Sequence, residues 1–384
     1  MRFFHLSDLH IGKQLHHYSL LEDQRHILNE VVSRVEELKP DAVVIAGDIY
    51  DKSVPSAEAV SLFDDFLTRL ADVEGGPAIM LISGNHDSAQ RLDYASRILG
   101  RQNIYIAGEV PGEKDEYLKK VTLSDEYGEV DFYLLPFLKP GYVRGVFEED
   151  IPETYSEAVA RILEREAPDQ EKRNVLLSHQ FYTGNGTILQ TCDSELFSVG
   201  GIDNVDIAPL LQFDYVALGH LHRAQQAGKP FIRYCGTLLK YSVSEAGDTK
   251  SLHMVELGKK GEEALVELLP LHPLRDVRTV RGEMTQIMEQ AETESCKDYI
   301  SITLTDEVDP YRPKEQLEKV YPHILEIRMD NARTRKRLEE FDEEVELTDP
   351  LLVFGEFYEE IQGRELSREE REFLEKVFDK VKGE

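Results

Sequence analysis

Aspartate and histidine recur in this chain in short clusters, each behind an apolar run. Asp8 and His10 follow "FFHLS", and Asp48 follows "AVVIAG". Asn85, His86 and Asp87 follow "AIMLISG", His179 closes "NVLLSH", and His220 and His222 close "DYVALGHLH". Carboxylates and imidazoles without thiolates suit Mn²⁺, Fe or Zn rather than a structural Cys-type zinc site. Residues two apart on an extended segment point the same way. Asp8 and His10 are therefore expected to face one ion, and so are His220 and His222. Asp48, directly after a buried strand, is the natural carboxylate to bridge two ion positions. A lone histidine at a strand end is usually a core or capping residue. That account suits His5, His26, His253, His272 and His323, which have no companion motif. It does not suit five such motifs in order.

The runs that carry these residues read as buried strands ending in polar turns: Asp41–Asp48, Ala78–Asp87, Asn174–His179 and Asp214–His222. Between the early ones lie helical patterns, Leu28, Val31, Val32 and Val35, then Val60, Phe63, Phe66, Leu67 and Leu70. Alternating strands and helices imply an α/β fold. "FIRYCGT" and "SLHMVEL" look like strands of a second, more antiparallel sheet. The expected architecture is a two-sheet sandwich flanked by helices over residues 1–272. Ligands of open α/β sheets collect outside the carboxyl ends of the strands, so Asp8, His10, Asp48, Asn85, His86, His179, His220 and His222 should converge.

After Pro273 the character changes. Residues 273–332 read as a small α+β recognition or capping domain. Its helices are expected at Met284–Ala291 and Pro313–Tyr321, and its strands at Tyr299–Leu304, with one exposed face, and His323–Met329. It contains no acid/base cluster. Residues 333–348 form a charged linker. Residues 349–384 form a C-terminal helical pair, with Asp349 as N-cap, Pro350 at the first helical position, Gly363 as the stop, and a second start at the Ser367–Glu370 capping box.

Composition sets limits. Against 44 Lys+Arg stand 74 Asp+Glu, a net charge of −30 over 384 residues. Alone, that argues against a nucleic-acid partner, so any DNA reading must find its cations elsewhere. Cys192, Cys235 and Cys296 are odd in number and far apart, which excludes a disulfide framework. No apolar run reaches membrane-spanning length, and no GxxxxGK[ST] loop offers direct ATP binding. A soluble, cytoplasmic protein is expected.

Taken together, "DLH", "GDxxD", "GNHD", "H" and "GHLH" resemble the signature of the calcineurin-like metallophosphoesterases. Here they stand at Asp8/His10, Asp48/Asp51, Asn85/His86/Asp87, His179 and His220/His222. Beyond them, "HIGKQL", "LEDQRHIL", the segment Tyr234–Ser251 and the layout of cap and helical pair resemble the SbcD family, the nuclease subunits of bacterial SbcCD complexes. Thr237 and Val243 depart from that pattern, where Ser and Phe are expected, and Asp51 stands where archaeal relatives carry His.

The resemblance implies two divalent metal ions, with Mn²⁺ expected. Asp8, His10, Asp48 and His222 would hold one, and Asp48, Asn85, His179 and His220 the other. His86 would act beside the scissile group, stabilising the transition state or protonating the leaving oxygen, with Asp87 orienting it. Implied too are an SbcC ATPase partner, a homodimer within a heterotetramer, and DNA ends and hairpins as substrates in repair, recombination and replication. Residues 349–384 would dock on the ATPase's coiled coil. Leu92–Leu99 is the guess for the dimer interface, and Lys13, His16 and His17 would lie near the DNA. The alternative is a small-molecule phosphodiesterase or phosphatase of the same superfamily, which leaves the region beyond Pro273 without a role. A non-catalytic binding protein is disfavoured by the complete ligand set.

Overall fold

The apolar runs of the first half become fully buried strands because both of their faces are covered. The computed structural model describes residues 1–147, 150–184, 189–195, 203–293, 297–335 and scattered positions between 354 and 374. β1 (Arg2–Leu6), β4 (Ala42–Ala46), β5 (Ala78–Ile82) and β6 (Ile104–Ala107) lie side by side and parallel. β15 (Ser251–Glu256) and β16 (Leu265–Pro270) extend this sheet past β1 with antiparallel pairings, in the order β16-β15-β1-β4-β5-β6.

The second sheet runs β13 (Gln225–Gln226), β14 (Ile232–Tyr234), β12 (Tyr215–Gly219), β9 (Arg173–His179), β8 (Gly128–Leu135), β7 (Lys119–Asp125). Its four central strands are parallel and only its two edge strands are antiparallel. The expectation of a more antiparallel second sheet is therefore corrected. "SLHMVEL" returns to the first sheet beside β1, and the strand of "FIRYCGT" runs parallel to β12. A strand's own pattern encodes which faces are buried, not which neighbour it pairs with. Two small ladders, β2 (Gln14–Leu15) with β3 (Tyr18–Ser19) and β10 (Phe181–Thr183) with β11 (Asn204–Asp206), complete this part.

Alternation along each strand sorts the core into three layers. Ala42 and Val44 join Phe3, Met80, Phe132, Leu134, Val175, Leu177 and Tyr215 between the sheets. Phe3 meets the rings of Phe132 and Tyr215 edge-on, each at 5.6 Å. Val43 and Ile45, one residue out of phase, pack with Ile27, Val31 and Val35 of α1 (Leu21–Leu38) and Leu62 and Phe66 of α2 (Ala57–Ala71). Two single-turn helices, α3 (Ala89–Leu92) and α4 (Ser96–Leu99), lead from β5 towards β6. Tyr133, Leu135 and Leu176 pack with Val159, Ile162 and Leu163 of α5 (Tyr155–Glu166) on the outer face of the second sheet. Caps fix where the longer helices begin. Ser56 accepts from the Ala59 N–H, and Thr154 and Glu157 form a full capping box.

The chain divides into two compact units, Met1–Thr279 with Ser295–Ser301 and Tyr321–Glu326, and Val280–Glu294 with Ile302–Val320 and Ile327–Glu384. β17 (Val277–Gly282), β18 (Tyr299–Leu304) and β19 (Ile324–Met329) form a three-stranded sheet in that order. As the middle strand, β18 buries Tyr299, Ile300, Ser301, Ile302 and Leu304, so its alternation does not mark an exposed face. Ser301 is tolerated there because its hydroxyl donates to Glu326 at 2.7 Å. α6 spans Met284–Thr293, while α7 (Pro313–Leu317) stops short of Tyr321. The linker 333–348 and helical pair 349–384 lie largely outside the described residues. The second start does form: Glu370 N–H donates to Ser367 Oγ at 3.3 Å and Ser367 N–H to Glu370 at 2.8 Å. No described helix is long and apolar enough to cross a membrane.

The five solitary histidines take structural places. His5 is fixed by the Tyr215 hydroxyl (3.0 Å) and the Leu218 carbonyl (3.1 Å). His26 meets the His272 carbonyl, His272 meets Glu30, and His323 meets the Lys297 carbonyl. His253, opposite His5 across the β1–β15 pair, is buried with neither ring nitrogen hydrogen-bonded. Burial, and then the charge of Arg233, lowers its pKa to about 3. An unfolded histidine binds its proton near 6.5, so the unfolded chain gains a proton that the folded one refuses. Stability therefore falls as pH drops below 6.5, by up to about 1.4 kcal/mol per unit for one such group. His253→Leu should lessen the fall in melting temperature between pH 7 and pH 5. Identical pH slopes in thermal melts of the two proteins would contradict this.

Candidate metal centre

β1, β4, β5, β9 and β12 deliver their carboxyl ends to one place. The chain leaves three of them in a left-handed backbone, with φ 51° at Asp8, 43° at His10, 49° at Asp48 and 97° at His220. Such conformations are uncommon for non-glycine residues and cost of order 1–3 kcal/mol each. The surroundings impose them. Asp8 N–H donates to the Gly47 carbonyl (3.0 Å), His10 N–H to that of Asp48 (3.0 Å) and Ile11 N–H to that of Ile49 (2.9 Å). The loops after β1 and β4 are thus zipped together. Asp8 and His10 do converge, but not as two residues of an extended segment, because β1 ends at Leu6. Glycine makes the room. A Cβ at Gly84 would collide with the Asp48 carboxylate, and one at Gly47, where φ is +91°, with the His179 ring.

Donor atoms of Asp8, His10 and His222 all lie within 4.8 Å of one another, as do those of Asp8, Asp48 and His179. His10 Nε2 is 3.1 Å from His222 Nε2. Asn85 Oδ1 lies 3.0 Å from both His179 Nε2 and His220 Nδ1. Asp48 Oδ2 stands between the clusters, 3.3 Å from His179 Nε2 and 3.7 Å from His10 Nε2. His220 and His222 therefore do not face a common point. The left-handed turn at His220 sends His222 to Asp8 and His10, and His220 to Asn85 and His179.

Protonation shows what the cluster lacks. The Ala46 carbonyl can only accept, so His179 Nδ1, 2.7 Å away, carries a proton. In the neutral ring Nε2 is then a lone pair aimed at the oxygens of Asn85 and Asp48, an arrangement that requires a cation. With protons as the only counter-charge, burial opposes charging of His179, yet Asp48 drives its pKa up to about 9. Burial raises the Asp8 carboxyl to about 7, against the pull of His179 and with Asp48 adding to the rise. Burial also resists ionisation of Asp48, but the His179 charge, with His10 and His86, holds it well below the usual carboxylate range. Burial lowers His10 and His220 to about 3, leaving neutral rings with lone pairs. Crowded carboxylates, neutral imidazoles and an amide oxygen, all facing inward, are a donor set that fits divalent ions.

Residues 1–224 match the family model of the calcineurin-like phosphoesterases. Residues 273–362 match a second model, SbcD_C, described as the type 5 capsule protein repressor C-terminal domain. A curated relative from Staphylococcus epidermidis, named as the D component of the nuclease SbcCD, is 31% identical over 376 residues, spanning 96% of this chain and 95% of its own. Its counterpart in Staphylococcus saprophyticus is 31% identical over 380 residues, spanning 98% and 97%. The chain belongs to the SbcD family of calcineurin-like phosphoesterases. A dimetal phosphatase structure from Danio rerio aligns with a TM-score of 0.36 at 13% identity, over 69% of this chain and 98% of that one.

His86 and Asp87, adjacent in sequence, have different surroundings. His86 N–H donates to Asp48 Oδ1 and its Nδ1 to the Asp51 carbonyl, both at 2.9 Å. Its ring also lies 4.8 Å from that of His10, and a donor atom of His86 falls within one group with His10 and Asp48. Asp87 does not orient the ring. Its carboxylate accepts three backbone N–H groups, from Ile49 (3.1 Å), Tyr50 (2.9 Å) and Gly84 (2.9 Å). It braces the ends of β4 and β5, and the Asp51 carbonyl orients His86. Lys13 is held by Asp51 at 2.8 Å, while His16 and His17 are exposed.

Sequence motifs missed the layer behind the ligands. Ser194 Oγ donates to Glu245 Oε1 (2.8 Å), so it must accept from His222 Nδ1 (2.7 Å). That fixes the His222 tautomer, with Nε2 as the lone pair facing His10. Lys250 answers the buried Glu245 at 2.6 Å and also donates to the His222 carbonyl at 2.8 Å. The same lysine supplies the cation for the nearby Cys192–Glu245–Asp248 group. Gln24 and Tyr241 clamp the turn before Gly12, donating to the carbonyls of His10 (2.7 Å) and Leu9 (2.5 Å). Only the oddity of "SVSEAGDTK", dense in polar residues between apolar runs, hinted at this layer. Removing such an outer hydrogen bond typically weakens metal binding about 10–100-fold. Ser194→Ala should do so for Mn²⁺ in titration calorimetry, and Ser194→Thr should restore it. Unchanged affinity in Ser194→Ala would contradict the relay.

Proposed function

We propose that this chain is the nuclease component of an SbcCD-type complex, a metal-dependent phosphodiesterase that degrades DNA ends and opens hairpins. The observation that carries the reading is the pair of donor clusters flanking one buried carboxylate, Asp48. Asp8, His10, Asp48 and His222 would hold one divalent ion, and Asp48, Asn85, His179 and His220 a second, with Mn²⁺ the first choice. Such ions supply positive charge at the phosphodiester and lower the pKa of an attacking water. The protein's own part is positioning and proton handling. The Asp51 carbonyl keeps a proton on His86 Nδ1, and in the imidazolium the second proton, on Nε2, would pass to the leaving oxygen. Asp87 keeps the two strand ends in register.

The relatives carry the name of the SbcCD nuclease, which supports a second component as partner, the SbcC ATPase of the resemblance. The match also weighs against a small-molecule phosphodiesterase, since it spans the region beyond Pro273 as well. We assign 1–272 to catalysis, 273–332 to capping and DNA recognition, 333–348 to a linker and 349–384 to the ATPase contact. Tyr94 and Ile98, 83% and 66% exposed, suit the Leu92–Leu99 segment to a homodimer contact. With a net charge of −30, the isolated chain should bind DNA weakly and with strong salt sensitivity, the partner supplying the basic track. A cytoplasmic location fits these assignments.

Mn²⁺-dependent cleavage of a DNA hairpin tests the reading. Asp48→Ala should abolish it together with metal binding. His86→Ala should keep the metal and lose about 10²–10⁴ in turnover. Cleavage that survives Asp48→Ala would sink the proposal, and loss of metal in His86→Ala would move His86 among the ligands.

A further inference from the structure

We propose that a groove beside Asn85 receives one unpaired nucleotide adjoining the scissile phosphodiester, its base set against the rings of Phe137 and Tyr142. This rests on the nuclease reading above. The groove encloses about 620 Å³ and is lined by Asn85, Phe137, Lys139, Tyr142, Glu109 and Glu113 among others. That volume lies within the usual range for small-ligand sites. It suits one nucleotide and not a base pair with its backbones.

Continuity places it on the substrate path. Asn85 lines the groove with its backbone neighbours Gly84 and Ser83, while its Oδ1 sits 3.0 Å from His179 and His220. A phosphodiester held at the centre therefore directs its neighbouring nucleoside here.

The walls match a nucleotide's parts. Phe137 is anchored by its N–H to the Ser83 carbonyl at 3.0 Å, and its half-buried ring stands edge-on to His179 at 6.4 Å. Tyr142, on the short turn Pro140–Val143, is 53% exposed and presents aromatic surface to the groove. Aromatic rings stack any base. The Lys139 ammonium, 6.0 Å from the Phe137 ring, offers a phosphate its charge. Glu109 and Glu113 are exposed carboxylates. They repel a sugar–phosphate backbone but accept from exocyclic amino groups, as Glu does from cytosine N4. The acidic side of the groove therefore favours base edges, and the Lys139 side favours the backbone. This arrangement reconciles an acidic chain with a DNA substrate at the scale of one nucleotide.

The test irradiates the full chain in Mn²⁺ with a single-stranded oligodeoxycytidylate. It carries 5-iododeoxycytidine beside one hydrolysis-resistant phosphorothioate linkage. The expected crosslink maps to Phe137 or Tyr142. Tyr142→Ala should weaken binding of the oligonucleotide about tenfold, and Tyr142→Phe, which keeps the ring, should restore it. No crosslink, a crosslink outside the groove, or unchanged binding in Tyr142→Ala overturns the proposal. Cleavage of a DNA hairpin by the unaltered chain in Mn²⁺ separates the two levels. Its absence removes the nuclease reading itself; its presence without a groove crosslink removes only the subsite.

Discussion

One buried negative charge organises this molecule. Asp48 is 2% exposed, and a carboxylate in that position is costly unless cations or donors answer it. It receives one backbone N–H, from His86, and otherwise faces imidazole nitrogens. Asp8, fully buried beside it, compounds the demand. Protons can meet it only by charging His179 and neutralising Asp8, which ligand chemistry reverses once divalent ions are present. The folded chain is in this sense built around a charge it does not itself carry.

The sandwich exists to hold that arrangement still. Parallel strands in both sheets end together, so ligands distant in sequence arrive side by side. Hydrogen bonds between the loops after β1 and β4 lock left-handed turns that would otherwise relax. Asp87 ties the loop after β5 to the one after β4. Behind His222, Ser194, Glu245 and Lys250 form a chain of alternating donor and acceptor that sets which nitrogen points inward. Rigid first contacts with hydrogen-bonded support are what precise metal placement requires.

Much of this was legible in the sequence, for a physical reason. Apolar runs ending in Asp, Asn or His announce both a buried strand and the polar residue at its exit, so the eight site residues stand out without coordinates. What stayed hidden is non-local. Extended spacing suggested that His220 pairs with His222, but a φ of 97° separates them. Asp87 read as a partner of His86 because they are adjacent, whereas its hydrogen bonds go to residues 49, 50 and 84. Glu245 and Ser194 lie 51 residues apart, and neither belongs to a metal-ligand motif. Sheet membership failed likewise, since Ser251–Glu256 chose β1 as its neighbour through long-range packing that no local pattern encodes.

The most direct measurement is anomalous scattering from crystals of the chain grown or soaked with Mn²⁺. The account predicts two manganese peaks about 3.5–4 Å apart, the spacing of two-metal hydrolytic sites, with Asp48 between them, His10 and His222 on one and His179 and His220 on the other. A single peak, or two peaks that do not share Asp48, would contradict it.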